Sequence, residues 1–126
     1  MSRRRILLVD DDRDIALGAG IRLRASGYEV TTANDGEEGF ACAIADPPDA
    51  IVLDIRMPKR DGLTMLADLK RDGRTREIPV IVLSANGIDE NRTRAAELGA
   101  RFFLGKPYEP KRLIEVLETT LNGTAG

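Results

Sequence analysis

Six side chains could do chemistry together if the fold gathered them: Asp10, Asp11 and Asp12 in a row, Asp54, Ser84, and Lys106 within Gly105-Lys106-Pro107. Each group stands directly behind a short, largely apolar run: Ile6–Val9, Ala50–Leu53, Val80–Leu83 and Arg101–Leu104. Carboxylates crowded together repel one another unless a cation sits among them. An oxygen-only donor set, including a backbone carbonyl and waters, suits hard Mg²⁺, which typically combines one or two protein carboxylates with phosphate oxygens. Mg²⁺ and Lys106 together would balance Asp10, Asp11 and Asp54. Converting the Asp54 carboxylate to an acyl phosphate replaces about −1 by about −2 of charge. The metal and Lys106 would hold that product, with Ser84 donating to a phosphoryl oxygen. The chemistry such a set supports is acceptance of a phosphoryl group.

Taken singly, each position has an ordinary explanation. Aspartates behind strands are frequent helix N-caps, serines are usual in loops, and a lysine before proline is often solvated. Lys106, however, is one of four lysines beside fifteen arginines, and it falls behind an apolar run as the three other positions do. Asp12 exceeds what a metal site needs and reads as a cap for the helix that follows.

These positions meet only if the runs are strands of one sheet. Ile6–Val9 reads as a first strand buried on both faces. Ile15, Ala19 and Leu23 recur at helical spacing behind it, closed by Gly27. Tyr28–Ala33 is β-prone, Asn34-Asp35-Gly36 is turn chemistry, and Phe40, Ala43 and Ile44 mark a second helix ended by Asp46-Pro47-Pro48. Ala50–Leu53 is the third strand. Asp61-Gly62 opens a third helix with Leu63, Leu66 and Ala67 on one face, stopped by the segment around Gly73. Val80–Leu83 is the fourth strand. Asp89–Leu98 predicts a helix with mainly Ala95 and Leu98 as core contacts, Arg101–Leu104 a fifth strand, and Pro110–Leu121 an amphipathic last helix carrying Leu113, Val116, Leu117 and Leu121. Strands that are apolar runs, alternating with helices, predict a doubly wound α/β domain with a parallel sheet. Flavodoxin-like order 2-1-3-4-5 is expected, with ligands beyond the strand C-termini between strands one and three.

Composition narrows the function further. At 126 residues the chain fits one domain. No apolar run approaches a membrane span, and Ile6–Val9 is too short for a signal-peptide core, so no membrane association and a cytoplasmic setting are expected. The chain contains no histidine, which removes Ser-His-Asp and Cys-His catalysis and most transition-metal sites. The single Cys42 reads as a packed structural thiol. A net charge of −2 argues against direct nucleic-acid binding, and Arg3–Arg5 reads as a solvated lead-in to the first strand.

Over residues 4–121 the sequence resembles the receiver domain of two-component response regulators. The resemblance lies in Ile6-Leu7-Leu8-Val9-Asp10-Asp11, Ile51 through Pro58 with Asp61-Gly62, Val82-Leu83-Ser84-Ala85, and Leu98-Gly99-Ala100 leading into Lys106-Pro107. It implies that Asp54 is the phosphoacceptor and that Asp10, Asp11, Asp54 and the backbone carbonyl of Arg56 bind Mg²⁺. Ser84 and Lys106 would hold the phosphoryl group. It further implies a switch aromatic at Phe103, a shifting helix after Asp89, a cis Lys106–Pro107 bond, and tuning of the phosphoryl lifetime by Arg56 and Asn86. The implied donor is a histidine kinase or histidine phosphotransfer protein, and the receiver would assist its own phosphorylation and dephosphorylation without being an enzyme. Residues 122–126 read as a tail or the start of a linker. Output would run through a downstream protein target or an output domain outside this sequence, so a stand-alone receiver and a piece of a longer regulator both stay open. Arg101 departs from one subfamily, the winged-helix transcription factors, which place an acidic dimer-pairing residue there.

A dehalogenase-type Mg-dependent phosphatase is the alternative, since Asp10 and Asp12 mimic its Asp-x-Asp start. That motif should continue with Thr or Val at the position of Asp14. A flavin site would need a glycine- and hydroxyl-rich loop where three aspartates would repel its phosphate. A pure docking module is disfavoured because every chemical position is filled.

Overall fold

The chain alternates strand and helix throughout: β1 (Arg5–Val9), α1 (Arg13–Ala25), β2 (Glu29–Ala33), α2 (Gly36–Ala45), β3 (Ala50–Asp54), α3 (Gly62–Arg71), β4 (Val80–Ser84), α4 (Glu90–Glu97), β5 (Phe102–Gly105) and α5 (Pro110–Asn122). The structure is a computed structural model that describes residues 3–55, 62–84, 90–105 and 108–122. The five strands form one parallel sheet in the order β2-β1-β3-β4-β5, the doubly wound flavodoxin-like arrangement expected.

Burial explains the order. All five residues of β3 are buried, as befits the central strand, whereas β2, with Thr31 and Thr32 exposed, suits an edge. Leu7, Val9, Ile51, Leu53, Val80 and Val82 face α2, α3 and α4. Ile6, Leu8, Ala50, Val52, Ile81 and Leu83 face α1 and α5. Alternate strand residues thus feed two core layers, one on each side of the sheet.

Local chemistry sets the helix ends. Asp12 is the N-cap of α1, its carboxylate accepting from the amides of Asp14 and Ile15 at 3.1 Å each. Asp35 does the same for α2, accepting from the Glu38 amide at 2.8 Å. Gly27 and Gly99 adopt φ of 100° and 105° just behind α1 and α4, where a side chain would be strained.

Three packing expectations need correction. The buried stripe of α1 is Ala16, Ala19, Gly20 and Leu23, and Ile15 is 43% exposed. Small residues at 16 and 20 let the helix lie close to the sheet, which rotates Ile15 outward. In α3 the buried side chains are Met65, Leu66 and Leu69, with Leu63 and Ala67 only half-buried. Arg3 and Arg4 are exposed, as a solvated lead-in requires, but Arg5, its side chain 41% exposed, does more. It begins β1 and clamps the α2–β3 connection: its amide donates to Asp49 at 2.7 Å, and its guanidinium donates to Asp46 at 2.7 Å and the Pro47 carbonyl at 2.6 Å. Two carboxylates and one backbone carbonyl accept from Arg5 there.

Candidate functional site

Parallel register gathers the acidic residues. Val9 lies opposite Leu53 in the β1–β3 ladder, so the next residues, Asp10 and Asp54, stand side by side at the switch point. The Asp10 amide donates to the Ala33 carbonyl at 3.1 Å, and the Asp10 carboxylate accepts from the Asp12 amide at 3.0 Å. Asp54 is itself the last residue of β3, paired with Leu83, and not the first residue beyond the strand. Asp10 is fully buried, Asp54 is 3% exposed, and Asp11 stands at the exposed rim.

One carboxylate oxygen from each of Asp10, Asp11 and Asp54 lies within 4.8 Å of the others, the single such group of potential metal ligands among the described residues. Burying two carboxylates beside a third is costly without a compensating cation. The donors are all oxygen, which fits a hard divalent ion and not a thiolate- or imidazole-seeking metal.

The remaining predicted residues divide into those placed and those outside the described residues. Ser84 ends β4, and its backbone pairs with Gly105 at the end of β5, so the segment leading to Lys106 starts beside Ser84. Phe103 pairs with Val82 and packs, half-buried, on the core layer shared by α2, α3 and α4. Arg56, Asn86, Lys106 and Pro107, with the expected cis bond between the last two, lie outside the described residues. Asp12 is engaged as the α1 cap, in keeping with its expected role and unlike a nucleophile's partner in an Asp-x-Asp motif.

Cys42 lies away from the acidic cluster, in a cleft of about 210 Å³ lined by Arg5, Ile6, Thr31 and Pro48 near the opposite end of the sheet. Burial, with Glu38 nearby, pushes its thiol pKa up, which suits a structural thiol.

Sequence reasoning gave no special place to Gly62 beyond opening α3. Its amide donates to the Ile55 carbonyl at 3.0 Å, tying the start of α3 to the residue after Asp54. An aspartate-glycine pair at a helix start hides this because it has the same composition as any turn.

Fold and site together define a doubly wound α/β domain with an oxygen-donor cluster at its switch point. Residues 6–118 match the response regulator receiver domain, and the chain belongs to that family. It is 38% identical over 120 residues to the DNA-binding dual master transcriptional regulator RpaA of Synechocystis sp., covering 95% of this chain and 50% of RpaA. A putative response regulator from Chloroflexus aurantiacus superimposes with a TM-score of 0.90 at 32% identity, covering 95% of this chain and 98% of that one. The receiver domain of the sensor histidine kinase PA1611 from Pseudomonas aeruginosa, solved with magnesium in its active-site cleft, superimposes with a TM-score of 0.87 at 29% identity, over 95% and 98% of the two chains.

The chain spans about half the length of the curated relatives it matches. RpaA is named as DNA-binding, so the expectation of no direct nucleic-acid contact is not matched by these longer proteins. The charge argument behind it concerns this chain's residues alone. The phosphatase alternative finds no support in these likenesses. No helix among the described residues is long and apolar enough to cross a membrane.

Proposed function

We propose that Asp54 accepts a phosphoryl group from a phosphohistidine on a partner histidine kinase or histidine phosphotransfer protein. The observation that carries this reading is the meeting of Asp10, Asp11 and Asp54 within 4.8 Å at the strand C-termini of a receiver-family chain. These three carboxylates and the Arg56 carbonyl would hold Mg²⁺. When bound, the ion neutralises carboxylate charge and polarises phosphoryl oxygens. A carboxylate oxygen of Asp54 attacks phosphorus; the new P–O bond forms as the P–N bond breaks, and the imidazole leaves with the bonding pair, which a proton then takes up. The Asp12 amide keeps the Asp10 carboxylate oriented.

Ser84 and Lys106 hold the phosphoryl oxygens in this reading, and Phe103 moves inward as Ser84 is drawn toward them, shifting α4. Arg56 and Asn86, each two residues beyond Asp54 or Ser84 in the chain, set how water reaches the acyl phosphate in this reading. The domain spans residues 4–121, with 122–126 a tail or the start of a linker. It assists its own phosphorylation and dephosphorylation, works in the cytoplasm, and acts on a downstream protein or an output domain.

Incubation with Mg²⁺ and acetyl phosphate should add one base-labile phosphoryl group by intact-mass spectrometry, and Asp54→Asn should take up none. Equal uptake by Asp54→Asn refutes the assignment. Sustained turnover of small phosphate esters would instead favour the phosphatase.

A further inference from the structure

Gly62 is the place where α3 touches the acceptor strand backbone to backbone. A Cβ built there would lie 2.6 Å from the Ile55 Cα and 3.1 Å from the Asp54 carbonyl carbon, and closer still to the Asp54 carbonyl oxygen. Real Cβ atoms do not tolerate such approach, and the atoms in the way belong to backbone that cannot rotate aside. Gly39 makes a useful contrast, because a Cβ there would meet only side-chain atoms of Val9 and Met65.

We infer that Gly62 is a positioning residue for the Asp54 carboxylate: its missing side chain lets α3 seat against Asp54–Ile55 and hold the acceptor in register with Asp10 and Asp11. The inference rests on Asp54 being the phosphoacceptor. A methyl group at position 62 must move one of two things. The helix is anchored by Met65, Leu66 and Leu69, all fully buried. The atoms that an added methyl would press are the Asp54 carbonyl and the Ile55 Cα, at the end of β3. The push therefore falls on the Asp54–Ile55 backbone, and the carboxylate leaves the 4.8 Å cluster. Small misplacements at a reacting group cost large factors in rate.

The test compares Gly62→Ala with Gly27→Ala. Gly27 sits at the α1–β2 turn with φ of 100° and nothing within 4 Å of an added Cβ, so alanine there strains the fold far from the strand C-termini. Both variants are studied at a temperature where circular dichroism shows them folded. Gly62→Ala should raise the Mg²⁺ dissociation constant and slow phosphoryl uptake from acetyl phosphate, each by about tenfold or more. Gly27→Ala should lose stability yet stay within about twofold of the parent in both. A folded Gly62→Ala with parental Mg²⁺ affinity and uptake overturns the inference. A second measurement needs no variant: in the parent, the Gly62 amide resonance should shift on Mg²⁺ addition together with those of Asp10 and Asp54, and an unmoved Gly62 resonance also overturns it. Failure of the parent to take up a phosphoryl group at Asp54 would strike the proposed function instead.

Discussion

Three consecutive aspartates have three different surroundings. Asp10 is buried and accepts from the Asp12 amide, Asp11 stands exposed at the rim, and Asp12 turns back to cap α1. Their order follows from the strand ending at Val9 and the helix starting at Arg13, which leaves only three residues to cross between them. Asp12→Ala should therefore lower stability by about 0.5–2 kcal/mol, the usual cost of a lost N-cap, in urea denaturation. Mg²⁺ affinity should change by less than about threefold, since the Asp12 group that orients Asp10 is its amide, which alanine keeps. A large loss of affinity would make Asp12 a ligand. Arg56 and Asn86, each two residues beyond a proposed site residue, carry a separate expectation. Exchanging both for other polar residues should change the aspartyl-phosphate half-life by about tenfold or more, about 1.4 kcal/mol in barrier, at nearly constant Mg²⁺ affinity. An unchanged half-life in the double variant removes them from the mechanism.

Compared with α3 and α5, α4 buries little among the described residues. Ala95 is its one fully buried side chain among the described residues, with Leu98 half-buried just behind it, whereas α3 and α5 each bury three large apolar side chains, Met65, Leu66 and Leu69 in one and Leu113, Val116 and Leu117 in the other. Lys70 secures the neighbouring corner. Its ammonium donates to the carbonyls of Arg76 at 3.2 Å and Ile78 at 3.1 Å, and its stem lies beside Gly99 where α4 hands over to β5. An element with little buried apolar surface opens at lower free energy. Hydrogen exchange should show α4 amides exchanging at least about tenfold faster than those of α3 and α5, equivalent to about 1.4 kcal/mol in opening free energy. Equal protection in all three helices would deny α4 the freedom that the proposed switch requires.

At the scale of the whole molecule the sheet joins two core layers that cannot separate. β1, β3 and β4 send alternate side chains into both, so losing either layer strips one face of the same strands. Leu66→Ala in the α2–α3–α4 layer and Leu117→Ala in the α1–α5 layer should each cost about 2–5 kcal/mol. Each should keep a single cooperative transition seen alike by tyrosine fluorescence and far-ultraviolet circular dichroism. Non-coincident transitions for either variant would show that the layers unfold separately.

The elements and the kind of chemistry were legible in the residues themselves. Apolar runs, caps and glycines are local signals, so strands β1, β3 and β4 were placed within a residue of their observed ends, and Asp10, Asp11, Asp54 and Ser84 were singled out by standing behind them. Orientation around a helix was less legible: Ile15 fits the α1 period but yields its place to Ala16 and Gly20, because closeness to the sheet selects small side chains. The Arg5 clamp and the backbone contact at Gly62 could not be read at all. Both depend on which chain segments lie against one another, Arg5 against residues 46–49 and Gly62 against Asp54–Ile55. Sequence spacing specifies which residues share a face of one element. Distances between elements are decided only when the layers pack, and it is packing that sets three separate carboxylates within 4.8 Å.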